Sequence, residues 1–338
     1  MSRQLFEYHA VIGYRFIPNL KARVAHEGGG YLVRTNESGF RADRPFNRER
    51  SPALRRALLF GDSFTAGDAV SNGERYSDLL EAAIPRLEIY NYGLPGTGTD
   101  QQYLAWREFA QGVEHDVVVI AVLVENIRRI LSRYRAFVDG EGTGRIQAKP
   151  YFVLEAGELR LRGVPPRREP FPKSELAPDE LATVEAGGRF RLIREAARAV
   201  GAREVLQRIT RYQPVPEYDS PQTPGWQLMR AILGEWVRAI GRNVLLVPVP
   251  LYQYVEETSD ATPCQARFAE LAKELGCELH DPLPDLLRYS PAERRAFRFR
   301  SDIHPTPAAH AALAASLKPS IERMLDQGAR QSRRGAPA

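Results

Sequence analysis

Residues 116–124 read DVVVIAVLV. A run so apolar and so rich in β-branched side chains has no polar face to offer water. It suits a strand covered on both sides, and such strands belong to parallel sheets flanked by helices. The neighbouring segments fit that frame. Ala57–Phe60 reads as a short buried strand and Leu87–Tyr92 as a second. Between them, Glu74–Ile84 carries Tyr76, Leu79, Leu80 and Ile84 at helical spacing. Asp100–Gln111 reads as the next helix. Further on, a helix opened by Pro224 and closed by Gly241 precedes a fourth strand, Asn243–Val249. A helix at Gln265–Leu275, a short fifth strand at Cys277–His280 and a helix after His304 complete the pattern. Alternation of strand and helix implies right-handed crossovers and an α/β fold around a parallel sheet of five strands.

The rest of the chain decorates that sheet. Residues 1–54 read as a β-rich N-terminal extension, with Tyr31, Leu32 and Val33 as a short strand. Residues 55–327 form the main domain, with a long insertion at about 133–225 of the kind that covers an open sheet. The insertion holds a hairpin, YFVLEAGELRLRG, whose arms meet near Ala156–Gly157, and a helical stretch, ARAVGAREVLQRI. Residues 328–338 read as a frayed, disordered basic tail.

Composition narrows the function. The formal charge is +5, and three of those charges are arginines of the tail, which leaves +2 for the rest. No basic stripe interleaves with aromatics, so nucleic acid is not an expected partner. No run of about 18 apolar residues suggests a membrane span. The N-terminal MSRQLFEYHAVIGYRF has no apolar signal core, so a cytoplasmic protein is expected. Two cysteines, Cys264 and Cys277, are too few for a disulfide framework or a thiolate metal site. His9, His26, His115 and His280 share no ligand spacing, and no metal is expected.

Ligands of parallel α/β sheets gather at the carboxyl ends of the strands. Here those ends are polar. The first strand ends in Gly61-Asp62-Ser63 and the second in Asn91-Tyr92-Gly93-Leu94-Pro95-Gly96-Thr97. The third ends in Glu125-Asn126, and the fifth leads to Ser301-Asp302-Ile303-His304. Acyl-transfer chemistry uses these residue types together. A serine hydroxyl needs a base to take its proton, and His304 is the candidate. Asp302 can hold the imidazole in the right tautomer. The oxyanion needs donors, for which the N–H of Ser63, the N–H of Gly96 and the amide of Asn126 are candidates.

GDSFTAG, NYGLPGTGT, the strand ending in Asn126 and DIHPTPAAH together resemble the SGNH (GDSL) hydrolase family. The upstream TNESGFRADRPF also resembles a segment preceding the GDSF block in bacterial members. The resemblance covers roughly residues 55–130 and 240–325. It implies a three-layer, flavodoxin-like α/β/α fold and a cofactor-independent serine esterase, thioesterase, lipase or deacetylase. By the same resemblance Ser63 is nucleophile and first oxyanion donor. Gly96 is then the second donor and Asn126 the third, with His304 the base and Asp302 its partner. The sequence departs from the family pattern at three places. The acid precedes the histidine by two residues, since Ser301 stands where many members have it. The Gly-x-Asn-Asp block reads Val124-Glu125-Asn126-Ile127. The second block offers Gly93, Gly96 and Gly98, of which Gly96 has the family's offset from Asn91 and Gly93 bends the chain.

Each residue has a plainer reading. Ser63 is then a turn residue, His304 a helix cap, Asp302 an acid at a helix N-terminus and Asn126 a cap for IRRIL. Glu125 reads as an ion-pair partner of Arg128 or Arg129, and His310 as structural. The insertion aromatics Tyr134, Phe137, Tyr151, Phe152 and Trp226 read as core. The coincidence of blocks favours a serine hydrolase of a small-molecule acyl ester, and the resemblance, with no membrane anchor expected, implies an acetyl ester of a carbohydrate or polar metabolite as substrate. An O-acyltransferase using the same triad and a catalytically silent binding module are the alternatives. A nucleotide-binding flavodoxin-like protein fits less well, because the first turn has no Lys and no GxGxxG spacing.

Overall fold

Two antiparallel hairpins come first, β1 (Phe6–His9) with β2 (Gly13–Phe16) and β3 (Lys21–Val24) with β4 (Tyr31–Arg34). The sheet follows: β5 (Arg55–Phe60), β6 (Leu87–Asn91) and β7 (Val117–Leu123). The insertion adds the hairpins β8 (Tyr134–Val138) with β9 (Gly144–Ala148) and β10 (Tyr151–Glu155) with β11 (Glu158–Arg162). A short β12 (Phe171–Pro172) extends the first of these. The sheet closes with β13 (Val244–Val249) and β14 (Glu278–Leu279). This computed structural model describes residues 4–138, 142–185 and 213–334. The stretch ARAVGAREVLQRI, expected to be helical, lies outside the described residues.

The five sheet strands run in the order β14-β13-β7-β5-β6, and all pairs are parallel. Every residue of β7 is buried, as its composition requires. Helices cover both faces and give the three-layer, flavodoxin-like α/β/α fold. The final helix, Pro307–Arg334, packs against α2 (Tyr76–Ala83). The helix Pro224–Ile240 packs against α3 (Thr99–Ala105) and the helix Thr262–Leu275. Fully buried Trp236 sits between Phe60 and Tyr103, with ring centroids 5.3 and 5.7 Å away. Tyr92 stacks on Phe60 at 4.8 Å. The chain leaves β5 for β6 and then returns to the opposite side of β5 as β7. A crevice opens at that reversal, where such folds bind ligands.

Most elements expected from sequence form within a few residues of their expected ends. The hairpin turn falls at Ala156 and Gly157, both with positive φ (51° and 82°). Three differences are informative. The helix beginning at Thr99 widens into a π-helical turn over Trp106–Ala110. The hairpin β8–β9 was not expected, because its arms, YRAFV and GRIQA, carry little apolar alternation. The last helix runs on through Arg334 into the segment read as a frayed tail. Its Ala, Arg and Gln residues favour helix. Of the insertion aromatics, Phe152 and Trp226 are core, while Tyr134, Phe137 and Tyr151 are only partly buried. Among the described residues no helix is long and apolar enough to cross a membrane.

The N-terminal hairpins share the main hydrophobic core through Ile12, Phe16, Leu20, Ala22, Val33 and Phe40. Arg41 completes the attachment. Its buried guanidinium donates to the carbonyls of Ala66, Gly67, Leu32 and Val70 and to Asn72 Oδ1. Burial and the neighbouring Arg75 push its pKa down to about 10. These bonds stitch the extension to the turn after β5. Arg41→Met should therefore lower stability by about 3 kcal/mol, since buried carbonyls lose a charged donor. Urea denaturation checks this, and an unchanged midpoint would contradict the stitching role.

Candidate active site

The carboxyl end of β5 turns sharply into α1 (Ser63–Ala66). Asp62 caps that helix, its Oδ1 accepting the N–H of Phe64 at 3.1 Å. Ser63 therefore stands at the first helical position, its N–H in the ring of donors that a helix start leaves open. The loop after β6 docks onto this turn. Leu94 N–H donates to Gly61 O at 3.1 Å, and Asn91 Nδ2 donates to Thr65 O at 2.8 Å. Gly93 lies against the backbone of Ala66, where a side chain would collide, so glycine serves close approach there. Gly96 has φ +73°, a conformation that favours glycine.

After β7, Asn126 opens α4 (Asn126–Arg129). Its side chain does not cap that helix. Both amide atoms are buried and find no partner among the described residues. The N–H groups of Ser63 and Gly96 also donate no hydrogen bond among the described residues. Arg129 joins three strand ends, donating to Asp62 Oδ2 at 2.8 Å and to Thr97 O at 3.2 Å.

The fourth block arrives on the loop before the final helix. His304 Nδ1–H donates to Asp302 Oδ1 at 2.6 Å, and the His304 backbone N–H adds a bond of 3.0 Å to the same oxygen. The His304 ring lies 5.7 Å from the ring of Phe64, the residue after Ser63. Ser63 and His304 are thus brought to one crevice without a hydrogen bond between them. Nε2 of His304 instead faces Asp68, with Oδ2 at 3.9 Å. Burial by itself would lower the His304 pKa. The Asp302 hydrogen bond and the carboxylates of Asp68, Asp302 and Asp62 outweigh burial and raise it. Burial would raise Asp302, but bonds from His304 and His26 hold its carboxyl well below the usual range.

A family model described as GDSL-like Lipase/Acylhydrolase family matches residues 59–312. The chain belongs to the GDSL-like lipase/acylhydrolase family. Solved structures resemble this family member at a distance. One is a lipolytic G-D-S-L family protein from Veillonella parvula, 12% identical, with TM-score 0.43, over 80% of this chain and 100% of that one. Another is a lipase/acylhydrolase from Enterococcus faecalis, 15% identical, with TM-score 0.42, over 79% and 95%. A third is an acetyl xylan esterase, 13% identical, with TM-score 0.44, over 79% and 99%. A search of curated proteins returned no match.

Around this GDSL-type turn the structure adds residues that the sequence did not single out. Asp302 Oδ2 accepts the Nε2–H of His26 at 3.1 Å, and His26 Nδ1 accepts the N–H of Gly28 at 3.2 Å. Glu27 Oε1 accepts the N–H groups of Ser301 and Asp302 at 2.9 and 3.0 Å. Both residues come from the N-terminal extension. No local motif could have revealed them, because the contact spans most of the chain. Asp68 could have been suspected, since it is one turn beyond Ser63.

Glu125 was expected as the partner of Arg128 or Arg129. Its charge acts on Arg129, but among the described residues it forms no ion pair with either: Arg128 Nε bonds Glu217 Oε1 at 2.8 Å and Arg129 bonds Asp62. Asp62 is almost fully buried, so it gains more from a guanidinium than a better hydrated Glu125 does. His310 is buried, as a structural residue should be, with Nδ1 accepting the Tyr76 N–H at 3.2 Å. Burial pushes its pKa down to about 3.

The raised pKa of His304 has a testable sign. A raised value contributes stability that is present below the unfolded pKa of 6.5 and lost as pH rises through the folded value. Nuclear magnetic resonance titration should place His304 above 6.5. Asp68→Asn should lower it, because a neighbouring carboxylate is removed. A titration that the substitution leaves in place would contradict the coupling.

Proposed function

We propose that the protein hydrolyses a short acyl ester through a covalent intermediate on Ser63. One observation carries this reading. Three donors, the N–H of Ser63, the N–H of Gly96 and Nδ2 of Asn126, are uncommitted beside a histidine already tied to a carboxylate. A buried amide left unpaired costs about 1–3 kcal/mol. An oxyanion that forms only during reaction would give all three donors an acceptor.

The arrangement supports the following steps. His304 Nε2 exchanges its neighbour Asp68 for the Ser63 hydroxyl and takes its proton. Such contacts commonly tighten when substrate binds. Ser63 Oγ attacks the carbonyl carbon, and the oxyanion accepts from the three donors. Asp302 holds Nδ1–H and stabilises the imidazolium. The intermediate collapses, and the leaving alkoxide takes the proton from Nε2. A water molecule, deprotonated by His304, then repeats the attack and frees the acid and Ser63. Ser63 is only 5% exposed, which supports a short acyl group such as acetyl. The alcohol we assign is a carbohydrate or similar polar metabolite.

The test is intact-mass analysis after treatment with a fluorophosphonate. The wild type should gain one adduct and Ser63→Ala none. Absence of an adduct on a folded wild type would overturn the proposal. Asn126→Ala should lower kcat by roughly 10²–10³ with a smaller change in KM. A wild-type kcat in that variant would remove Asn126 from the oxyanion site.

A further inference from the structure

A cavity of about 320 Å³ opens beside Gly96, the proposed oxyanion donor. Its lining includes Glu125, Arg128, Arg129, Arg135 and Lys149. The cations outnumber the one carboxylate. Three of these cations are already matched. Arg129 pairs with Asp62, Arg128 with Glu217, and Lys149 with buried Asp100. Arg135 differs. It has no hydrogen bond or ion pair among the described residues. Its charge acts on Asp68 across the cleft, without contact.

Arg135 is nevertheless held in place. Its guanidinium carbon lies 4.6 Å from the centroid of the Tyr14 ring. Tyr14 is itself buried and anchored, its hydroxyl donating to Pro95 O at 2.6 Å. A Cβ added to Gly96 would fall 2.6 Å from Arg135 Cζ and 2.7 Å from Nη2, so the guanidinium covers the oxyanion loop. A planar fork of donors, fixed by an aromatic face and left without an acceptor, is suited to bidentate capture of an oxyanion. Gly96 is the proposed oxyanion donor, so an ester whose oxyanion is received there would lie beside that fork.

We propose that this cavity is an anion subsite, and that the substrate of Ser63 carries a carboxylate or phosphate close to its ester, received by Arg135. The placement of the ester rests on the hydrolase reading above. The anion site itself can be tested without turnover.

Calorimetry on Ser63→Ala at low salt should compare D-glucuronate, glucose 6-phosphate and D-glucose. At least one anion should bind roughly tenfold or more tighter than glucose. Preference between the two anions identifies the group as carboxylate or phosphate. Adding Arg135→Met should weaken the anion by roughly tenfold or more. Arg135→Lys, which keeps the charge and loses the fork, should restore part of the affinity. Arg135→Gln replaces Arg135→Met if the latter fails to fold. Binding of neither anion above glucose, or anion binding unchanged in Arg135→Met, would overturn the subsite. In the wild type, the ratio of kcat/KM for acetylated methyl glucuronate over acetylated methyl glucoside should exceed one and collapse in Arg135→Met. Failure to cleave any ester would defeat the hydrolase reading, while the calorimetry would still decide the subsite.

Discussion

A carboxylate that is 1% exposed ties the crevice together. Asp62 caps the helix that starts at Ser63 with one oxygen and receives Arg129 with the other. Arg129 in turn reaches the carbonyl of Thr97. Three strand ends therefore share one ion pair. Burial pushes the Asp62 carboxyl up, against the pull of Arg129 and the Phe64 N–H. Taking a charge out of water is expensive, and it is tolerated only where charge-assisted bonds replace hydration. Breaking such a pair costs about 3–5 kcal/mol. The turn that presents Ser63 is thus tied to the ends of both neighbouring strands.

The opposite wall of the crevice has no sheet to rest on. Asp302 and His304 lie on an irregular loop before the final helix. The extension compensates: Glu27 takes the loop's backbone N–H groups and His26 takes the free oxygen of Asp302. The Phe299 ring packs edge-on against His26 at 4.5 Å. Arg41, also from the extension, grips the other wall at Ala66 and Gly67. One N-terminal segment thereby sets the distance between the candidate nucleophile and the candidate base. Functional groups keep their geometry only when such a supporting layer locks them.

What the sequence disclosed, and what it did not, follows from the range of each interaction. DVVVIAVLV announced a central parallel strand, because its burial pattern is local. The polar strand ends announced the crevice, because a parallel sheet delivers every carboxyl end to one edge. Partner choice was not legible. Glu125 stands three residues before Arg128 in sequence, yet Arg128 reaches Glu217, far along the chain. Tertiary burial decides such contests, and local order does not. Arg135 escaped notice for a related reason. It belongs to a hairpin of mixed polarity, and its importance comes from Tyr14 and Gly96, which lie in distant segments. His26 has no spacing to any other histidine, and only its contact with Asp302 gives it meaning.

The crevice also shows how much unsatisfied polarity this fold carries. Among the described residues, Asn126 keeps both amide atoms buried and unpaired, Ser63 and Gly96 keep free N–H groups, and Arg135 keeps a charge with no ion pair. Each is unfavourable in isolation. They cluster at the topological switch point, and the elements around them are closely packed. β7 is wholly buried, Trp236 is packed between two rings, and the Asp62–Arg129 and Asp100–Lys149 pairs are closed. Buried polar groups without a partner also occur elsewhere among the described residues, but those of this crevice lie together where a ligand can relieve them. Besides the Asn126 Oδ1 acceptor, the uncommitted groups named here are donors and a cation. The partner they lack is therefore negative, both at the atom where reaction occurs and in the cavity beside it.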